Sequence, residues 1–383
     1  MSDIVLSNAS RASLLSLTQT ADLMGTTQGR LATGKKVNSA LDNPNSYFTS
    51  QGLNNRATDL TNLLDDMGQS IQTLRAADQG ITSISKLISA AKAKANQAVQ
   101  TTDAFERRQY AQEYNDLLDQ IEGIAADASY KGKNLLGGGE NDLTVYFNED
   151  NSNRLTITAV DYTKTETVLG LPRIEVGETS SDTLDLEAGG AALKNTSLLT
   201  ASSAYAAGDV LQFTDANGDE IWSIEITADM TVADLVTEVN RNLDTVRASF
   251  KAGVLTFEAA AETTIGLAAS ASGSMADIAL APTTELEWLS ESGINDALTK
   301  VQTANETVRL QASTFGTNLT MLENRESFTK NFAETLKAGA DKLVVANMNE
   351  EGANLLALQT RQQLSTTALS FASQAEQGVL QLF

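Results

Sequence analysis

Along much of this chain the apolar positions recur at alternating steps of four and three, the spacing of a helix that buries one seam. The longest run is Leu53, Ala57, Leu60, Leu64, Met67, Ile71, Leu74, Asp78, Ile81, Ser85, Ile88, Lys92, Ala95 and Val99. It predicts one helix about 70 Å long, a length suited to a bundle or coiled coil. A second run, Leu298 to Leu343, keeps the same step through Val301, Val308, Phe315, Leu322, Ala333 and Ala340. A shorter one passes through Tyr110, Tyr114, Leu117, Ile121, Ile124 and Ala128, after cap candidates at Thr101-Thr102-Asp103. Near the start, Leu14, Leu17, Ala21, Met24, Gln28 and Leu31 predict a helix over residues 4–32 that pairs with the other end of the chain. Thr33-Gly34 ends it, and Asp42-Asn43-Pro44-Asn45 signals a turn.

The last 32 residues, from Gly352, carry two apolar or small stripes on roughly opposite sides. One is Ala357, Arg361, Leu364, Ala368, Phe371, Ala375, Gly378 and Leu382; the other is Leu355, Leu358, Gln362, Ser365, Leu369 and Ala372. Only Arg361 and Glu376 are charged there. Such a helix is normally surrounded by protein. Either it is the last core helix of a globular domain, or other copies of the chain supply its surroundings.

Between the helical halves the period changes to two. Leu143, Val145 and Phe147, then Leu155, Ile157 and Ala159, predict a hairpin with its turn at 149–153. Residues 169–176, around Pro172, suit an edge strand. Residues 210–214 and 220–226 flank Asp215-Ala-Asn-Gly-Asp219, a hairpin turn rather than a calcium loop, because glycine and glutamate are misplaced for an EF-hand. Thr231-Val-Ala-Asp234 predicts a capped helix through Val246, with strands at 247–250 and 254–258. Ser270 to Ser274 and Pro282 read as a return linker. The glycine run Gly137-Gly138-Gly139 is a hinge; it lacks the Gly-Lys-Ser/Thr ending of a phosphate loop. The expected fold is mainly α with a β-containing insertion (α+β): a long antiparallel bundle of both chain ends, a β-hairpin region and a small inserted α+β domain.

Charge divides the 383 residues in the same way. The net −22 comes mostly from residues 140–287, with 25 acidic and 7 basic side chains, against 14 and 13 in residues 1–139. Nearly neutral ends can pack together, while an acidic middle favours solvent. No basic patch is present to gather phosphates. With no His and no Cys, Ser–His–Asp and Cys–His catalysis and a His-Glu-x-x-His zinc site are excluded. Neighbouring carboxylates such as Asp65-Asp66 read as solvated helix faces. No catalytic, metal or cofactor site is expected. No signal-peptide pattern opens the sequence, and no run of 18 apolar residues predicts a membrane span.

Arg30-Leu-Ala-Thr-Gly-Lys-Lys-Val-Asn-Ser-Ala40, Lys131 to Leu136, Ala353-Asn-Leu-Leu-Ala-Leu-Gln-Thr-Arg-Gln-Gln-Leu364 and Gly378-Val-Leu-Gln-Leu-Phe383 resemble the terminal signatures of bacterial flagellin. Residues 231–259 are similar to a small module found in the middle of many flagellins. The resemblance implies a subunit of the extracellular flagellar filament that drives swimming. It implies inner-core helices at 1–40 and 347–383, outer-core parts at 41–176 and 286–346, and a variable, surface-exposed domain at 177–285. Leu14, Leu17, Ala21, Met24, Leu31, Leu355, Leu358, Leu364, Ala368, Phe371 and Leu382 are then the expected filament contacts. The partners it implies are further copies of the chain, the flagellar export apparatus, an export chaperone, and cap and junction proteins. It implies export without a cleaved signal peptide. A hook–filament junction protein, or a flagellin acting mainly as an adhesin, are the alternatives of similar build.

Overall fold

The computed structural model describes residues 8–269 and 275–380. The helical half opens with α1 (Asn8–Thr33), α2 (Pro44–Gln100) and α3 (Ala104–Asp127). Strands β1 (Leu143–Tyr146) and β2 (Arg154–Ile157) form the expected hairpin. The insertion contains β3 (Ser180–Asp185), β4 (Glu187–Ala188), β5 (Ala191–Ala192), β6 (Val210–Asp215), β7 (Glu220–Glu225), α4 (Val232–Asn242), β8 (Val246–Lys251), β9 (Val254–Ala259), β10 (Thr263–Ala269) and β11 (Ile278–Leu280). The chain then returns through α5 (Glu291–Val344) and α6 (Met348–Leu380). The chain is mainly helical, with a β-rich central insertion.

Two compact units divide these elements. The first holds α1, α2 as far as Gln69, the hairpin tip 145–155, and the chain from Leu322 onward. α2 begins earlier than its apolar seam, because Pro44 is tolerated where an amide would be unpaired. Asn43 Oδ1 accepts from Ser46 N–H at 3.1 Å, so the predicted turn doubles as the helix start. Ala57, Leu60 and Met67 of α2 and Leu322, Ala333 and Ala340 of α5 are buried. Arg56 lies 5.5 Å from the Phe332 ring centre and 2.7 Å from Glu149 of the hairpin, joining three elements.

The connectors that leave α1 and enter α6 are paired as a short antiparallel ladder. Lys35 lies opposite Val345; Lys36 N–H donates to Val344 O at 2.7 Å, and Ala346 N–H to Gly34 O at 2.9 Å. Gly34 adopts φ 70° as it closes α1, a conformation that favours glycine.

The second unit holds residues 70–144 and 156–321. Its part of α2 buries two adjoining stripes, one with Ile71, Leu74, Ile81 and Ile88, the other with Ala77, Ile84, Ala91 and Ala98. The extra stripe belongs with α3: Lys94 of α2 forms an ion pair with Glu113 of α3 at 2.5 Å. Asp103 caps α3 as expected, accepting from Phe105 and Glu106 N–H. Arg107 is nearly buried, and its guanidinium donates to the carbonyls of Ala98, Thr101 and Leu289.

Within this unit the insertion packs a four-stranded sheet, β11-β10-β6-β7, and a three-stranded sheet, β3-β9-β8, around one core. Phe213 and Phe257 meet there edge to face, 6.1 Å apart. The turn Ala252-Gly253 has φ 54° and 94°, the positive pair of a tight hairpin. Thr231 and Asp234 form the full capping box, but α4 stops at Asn242 and Val246 already belongs to β8. The expected strand at 169–176 is absent. Leu169 ends a short π-helical turn, and Asn115 of α3 holds Ile174 at both its N–H and its carbonyl, so no sheet partner is needed. Strands β3, β10 and β11 carry no clean alternation and were not expected. The linker read at 270–274 lies outside the described residues; its flanks, β10 and β11, are antiparallel partners.

Candidate assembly surface

α1 and α6 run antiparallel along each other in the first unit. Arg30, late in α1, donates to Glu351, early in α6, at 3.0 Å, while Ser13 and Ser16 share a groove with Leu364 and Ala368. The side of α1 turned to α6 is made of Ser10, Leu17, Thr20, Met24, Thr27 and Leu31. Ser10, Thr20 and Thr27 are the most buried of these, between 2% and 6% exposed. The Thr20 hydroxyl donates to Ser16 O at 2.7 Å, which satisfies it inside the helix and lets its methyl group pack. On α6 the side turned inward is Glu351, Leu355, Leu358, Gln362, Ser365, Leu369 and Ala372.

The expected pairing of the two ends is therefore present, but its seam on α1 is rotated from the apolar count. Small and hydroxyl-bearing residues allow close approach, and three of the larger apolar side chains of α1 are left largely exposed, Leu23 among them at the rim of a groove beside α6. Leu14, Leu15 and Leu23 are 44%, 60% and 52% exposed; on α6, Leu356, Leu364 and Phe371 are 67%, 67% and 66% exposed. Of the residues expected to make filament contacts, Leu14, Ala21, Leu364, Ala368 and Phe371 are exposed. Leu17, Met24, Leu31, Leu355 and Leu358 are half-buried in the seam between α1 and α6. Leu382 lies outside the described residues. Leu15, Leu23 and Leu356 are also exposed and were missed because they fall off the four–three step.

The geometry of this surface is fixed by its neighbours. A groove of about 340 Å³ opens between the helices, lined by Leu23, Thr27, Arg30, Glu351, Ala357, Leu358 and Arg361. At the foot of α1, Asp42 Oδ2 accepts from the N–H groups of Asn38 and Ser39, both at 2.9 Å. Those backbone hydrogen bonds hold its carboxyl below the usual range. Covering one exposed Leu or Phe fully contributes about 1.5–3 kcal/mol, and α1 and α6 leave six such side chains largely exposed. Among the described residues no group of three or more His, Cys, Asp or Glu is placed to hold a metal ion, and no helix is long and apolar enough to cross a membrane.

Comparison with known proteins accounts for both ends of the chain. The N-terminal helical region of bacterial flagellin matches residues 5–141, and the C-terminal helical region matches residues 298–383. Flagellin A of Rhizobium meliloti is 26% identical over 419 aligned residues, covering 100% of both chains. Flagellin A of strain 1021 is 27% identical over 416, again across both full chains. Flagellin C of that strain is 23% identical over 389, covering 100% of this chain and 99% of the relative. The crystal structure of Xanthomonas campestris FlgL is similar only remotely, with a TM-score of 0.33 and 13% identity over 73% of this chain and 98% of that one. With family signatures on more than half its length, the chain belongs to the bacterial flagellins, the non-enzymatic structural subunits that assemble into the extracellular filament of the swimming flagellum.

Proposed function

We propose that the outward faces of α1 and α6 are the contacts through which copies of this flagellin join. The observation that carries this is that the most buried α1 positions of the seam are Ser10, Thr20 and Thr27, while Leu14, Leu23, Leu364 and Phe371 are left 44–67% exposed. Leu17, Met24, Leu31, Leu355 and Leu358 then hold the two helices together as one assembly element, and Ala21 and Ala368 let neighbours approach closely. Leu382 belongs to the same stripe of the sequence. Contacts that do not close into a ring give open helical polymers.

In this reading residues 1–40 and 347–383 form the inner core and 41–176 with 286–346 the outer core. Residues 177–285 form the outer surface, where their negative charge keeps filaments apart. The partners proposed beyond the chain itself are the flagellar export apparatus, a chaperone that covers α6 before export, and the cap and junction proteins.

Seeded polymerisation at neutral pH tests the proposal. Monomer released by heat is mixed with short filament fragments, and growth is read by negative-stain microscopy. Wild type extends the seeds. Leu364→Glu and Phe371→Glu leave soluble monomer whose second unit melts as in wild type. Unimpaired growth of both variants would remove these faces from the assembly contacts.

A further inference from the structure

The terminal helices carry few charges, and those charges are not all satisfied within one chain. α1 contains Arg11, Asp22 and Arg30; α6 contains Glu350, Glu351, Arg361 and Glu376. Arg30 pairs with Glu351, and Arg11 is engaged in an interaction of its own. Glu350 lies in the first turn of α6, where the helix dipole favours a carboxylate. Among the described side chains of these two helices, Asp22, Glu350 and Arg361 are exposed and have no ion-pair or hydrogen-bond partner, and only Asp22 and Arg361 lie beyond the reach of a helix end.

Their positions explain why they do not meet within the chain. Asp22 is two residues from the buried Thr20, so it projects from the side of α1 opposite α6, in line with Leu15 one heptad before it. Arg361 sits in the middle of the open stripe Ala357, Leu364, Ala368 and Phe371. Both lie at the same level of the helix pair: Arg361 lines one groove with Leu23 and another with Ser16. Covering the α6 stripe therefore carries Arg361 into an apolar contact, and covering the back of α1 buries Asp22 beside Leu15; each opposes association unless an opposite charge arrives with it.

Resting on the reading that these faces are assembly contacts, we propose that Asp22 of one copy forms an ion pair with Arg361 of a neighbouring copy. The guanidinium fork and the carboxylate suit a two-bond contact. The pair neutralises both stranded charges and fixes the register at which neighbouring helix pairs lie side by side. It also discriminates against misaligned contacts, because any other register buries two unpaired charges.

The test is the critical concentration for growth on wild-type seeds, using the full chain. Asp22→Arg and Arg361→Asp are each expected to raise it at least about thirtyfold, the scale of losing one partner of a buried charge pair. The double variant is expected to return to within about threefold of wild type. An equimolar mixture of the two single variants should grow at a lower total concentration than either alone, since each then supplies the other's missing charge; a pair formed within one chain does not predict this. Normal growth of both single variants while Leu364→Glu fails would overturn the ion pair and leave the assembly faces standing. Normal growth of all three would overturn both. Rescue of Arg361→Asp by Glu376→Arg and not by Asp22→Arg would also overturn the pairing with Asp22.

Discussion

Arg30 Nη1 lies 3.0 Å from Glu351 Oε1, and this pair joins the first and last helices immediately beside the ladder that holds their connectors. The Glu351 side chain is 10% exposed and that of Arg30 39%, so the contact is wet on one side and dry on the other. It fixes which turn of α1 faces which turn of α6, and with it the set of residues left outward.

Glu351→Ala is therefore expected to loosen the pairing of α1 with α6 without unfolding the second unit. Losing a charge-assisted hydrogen bond at a partly buried site costs about 1–3 kcal/mol. Amide exchange in α1 should quicken by about tenfold or more, the change that 1.4 kcal/mol brings, while exchange in α3 stays unchanged. Uniform quickening across the chain would mean that Glu351 supports the whole fold instead.

The carboxyl of Asp42 gives a pH-dependent counterpart. Its pKa is lowered, first by the backbone hydrogen bond from Asn38 and then by that from Ser39. A depressed carboxyl contributes stability above its ordinary pKa, about 3.9, and loses it as pH falls through the lower value in the folded chain. The 38–42 loop is thus expected to stay ordered at pH 5 and to open only as pH falls below the ordinary carboxylate value and through the lowered one. Amide shifts of Asn38 and Ser39 would follow the titration, and Asp42→Ala would abolish that response at all pH values. A transition of those two amides near pH 6 would contradict the assignment.

Much of this arrangement was legible in the sequence, and the misses have identifiable physical causes. Leu53 through Val99 and Leu298 through Leu343 kept one step throughout, and every residue of both runs is buried or half-buried. A long seam averages over local interruptions such as Asp78 or Lys92. In α1 the same count failed in phase because Ser10, Thr20 and Thr27 pack in the seam like small apolar residues, the Thr20 hydroxyl being satisfied within the helix by Ser16 O. Residues 169–176 have strand-like composition, but Asn115 satisfies the backbone there, a partner that is distant in the chain. The open stripe of α6 was legible as Ala357, Leu364, Ala368 and Phe371; that of α1 was not, because its seam is set by a distant partner helix, joined to it by Arg30 and Glu351, 321 residues apart.

Arg107 tests the second unit. Its Nη1 donates to Leu289 O at 2.6 Å, and Nε serves Ala98 O and Thr101 O, so one side chain closes the corner between α2, α3 and the return of the chain. Arg107→Ala leaves buried carbonyls unpaired and should lower stability by about 2–4 kcal/mol. Arg107→Lys should restore less than half of that, because an ammonium cannot reproduce the planar fork. Urea unfolding followed by Trp288 fluorescence in a Trp222→Phe background measures both. Full recovery with lysine would show that charge alone suffices.

Gly25 and Gly29 separate monomer stability from assembly. Both lie in α1 with nothing within 4 Å of the space an added methyl group would occupy. Alanine should therefore stabilise the isolated helix by about 0.5–1 kcal/mol per site. If a neighbouring copy packs against this face of α1, the same methyl groups stand in its way. Gly25→Ala with Gly29→Ala is expected to raise the helix content of the monomer by circular dichroism and to raise the critical concentration for filament growth. A rise in helix content with easier growth would place these glycines outside the contact.

The two units make different demands on the end of the chain. The second unit closes its own core through Trp288, Tyr114, Phe213 and Phe257, all fully buried and all upstream of α6. α6 in turn offers Leu356, Leu364 and Phe371 to the outside, side chains that contribute little to a single folded copy. Removing residues 348–383 should accordingly abolish seeded growth and leave a soluble monomer. Its second unit should melt within about 2 °C of the full chain, as expected when a change lies far from the core being probed. Trp288 fluorescence reports that transition, and sedimentation reports the loss of filaments. A fall of about 10 °C or more in the Trp288 transition, of order 2 kcal/mol or more on the usual scale, would mean that α6 stabilises the single chain as well as the polymer, and the division of labour between the units would be lost.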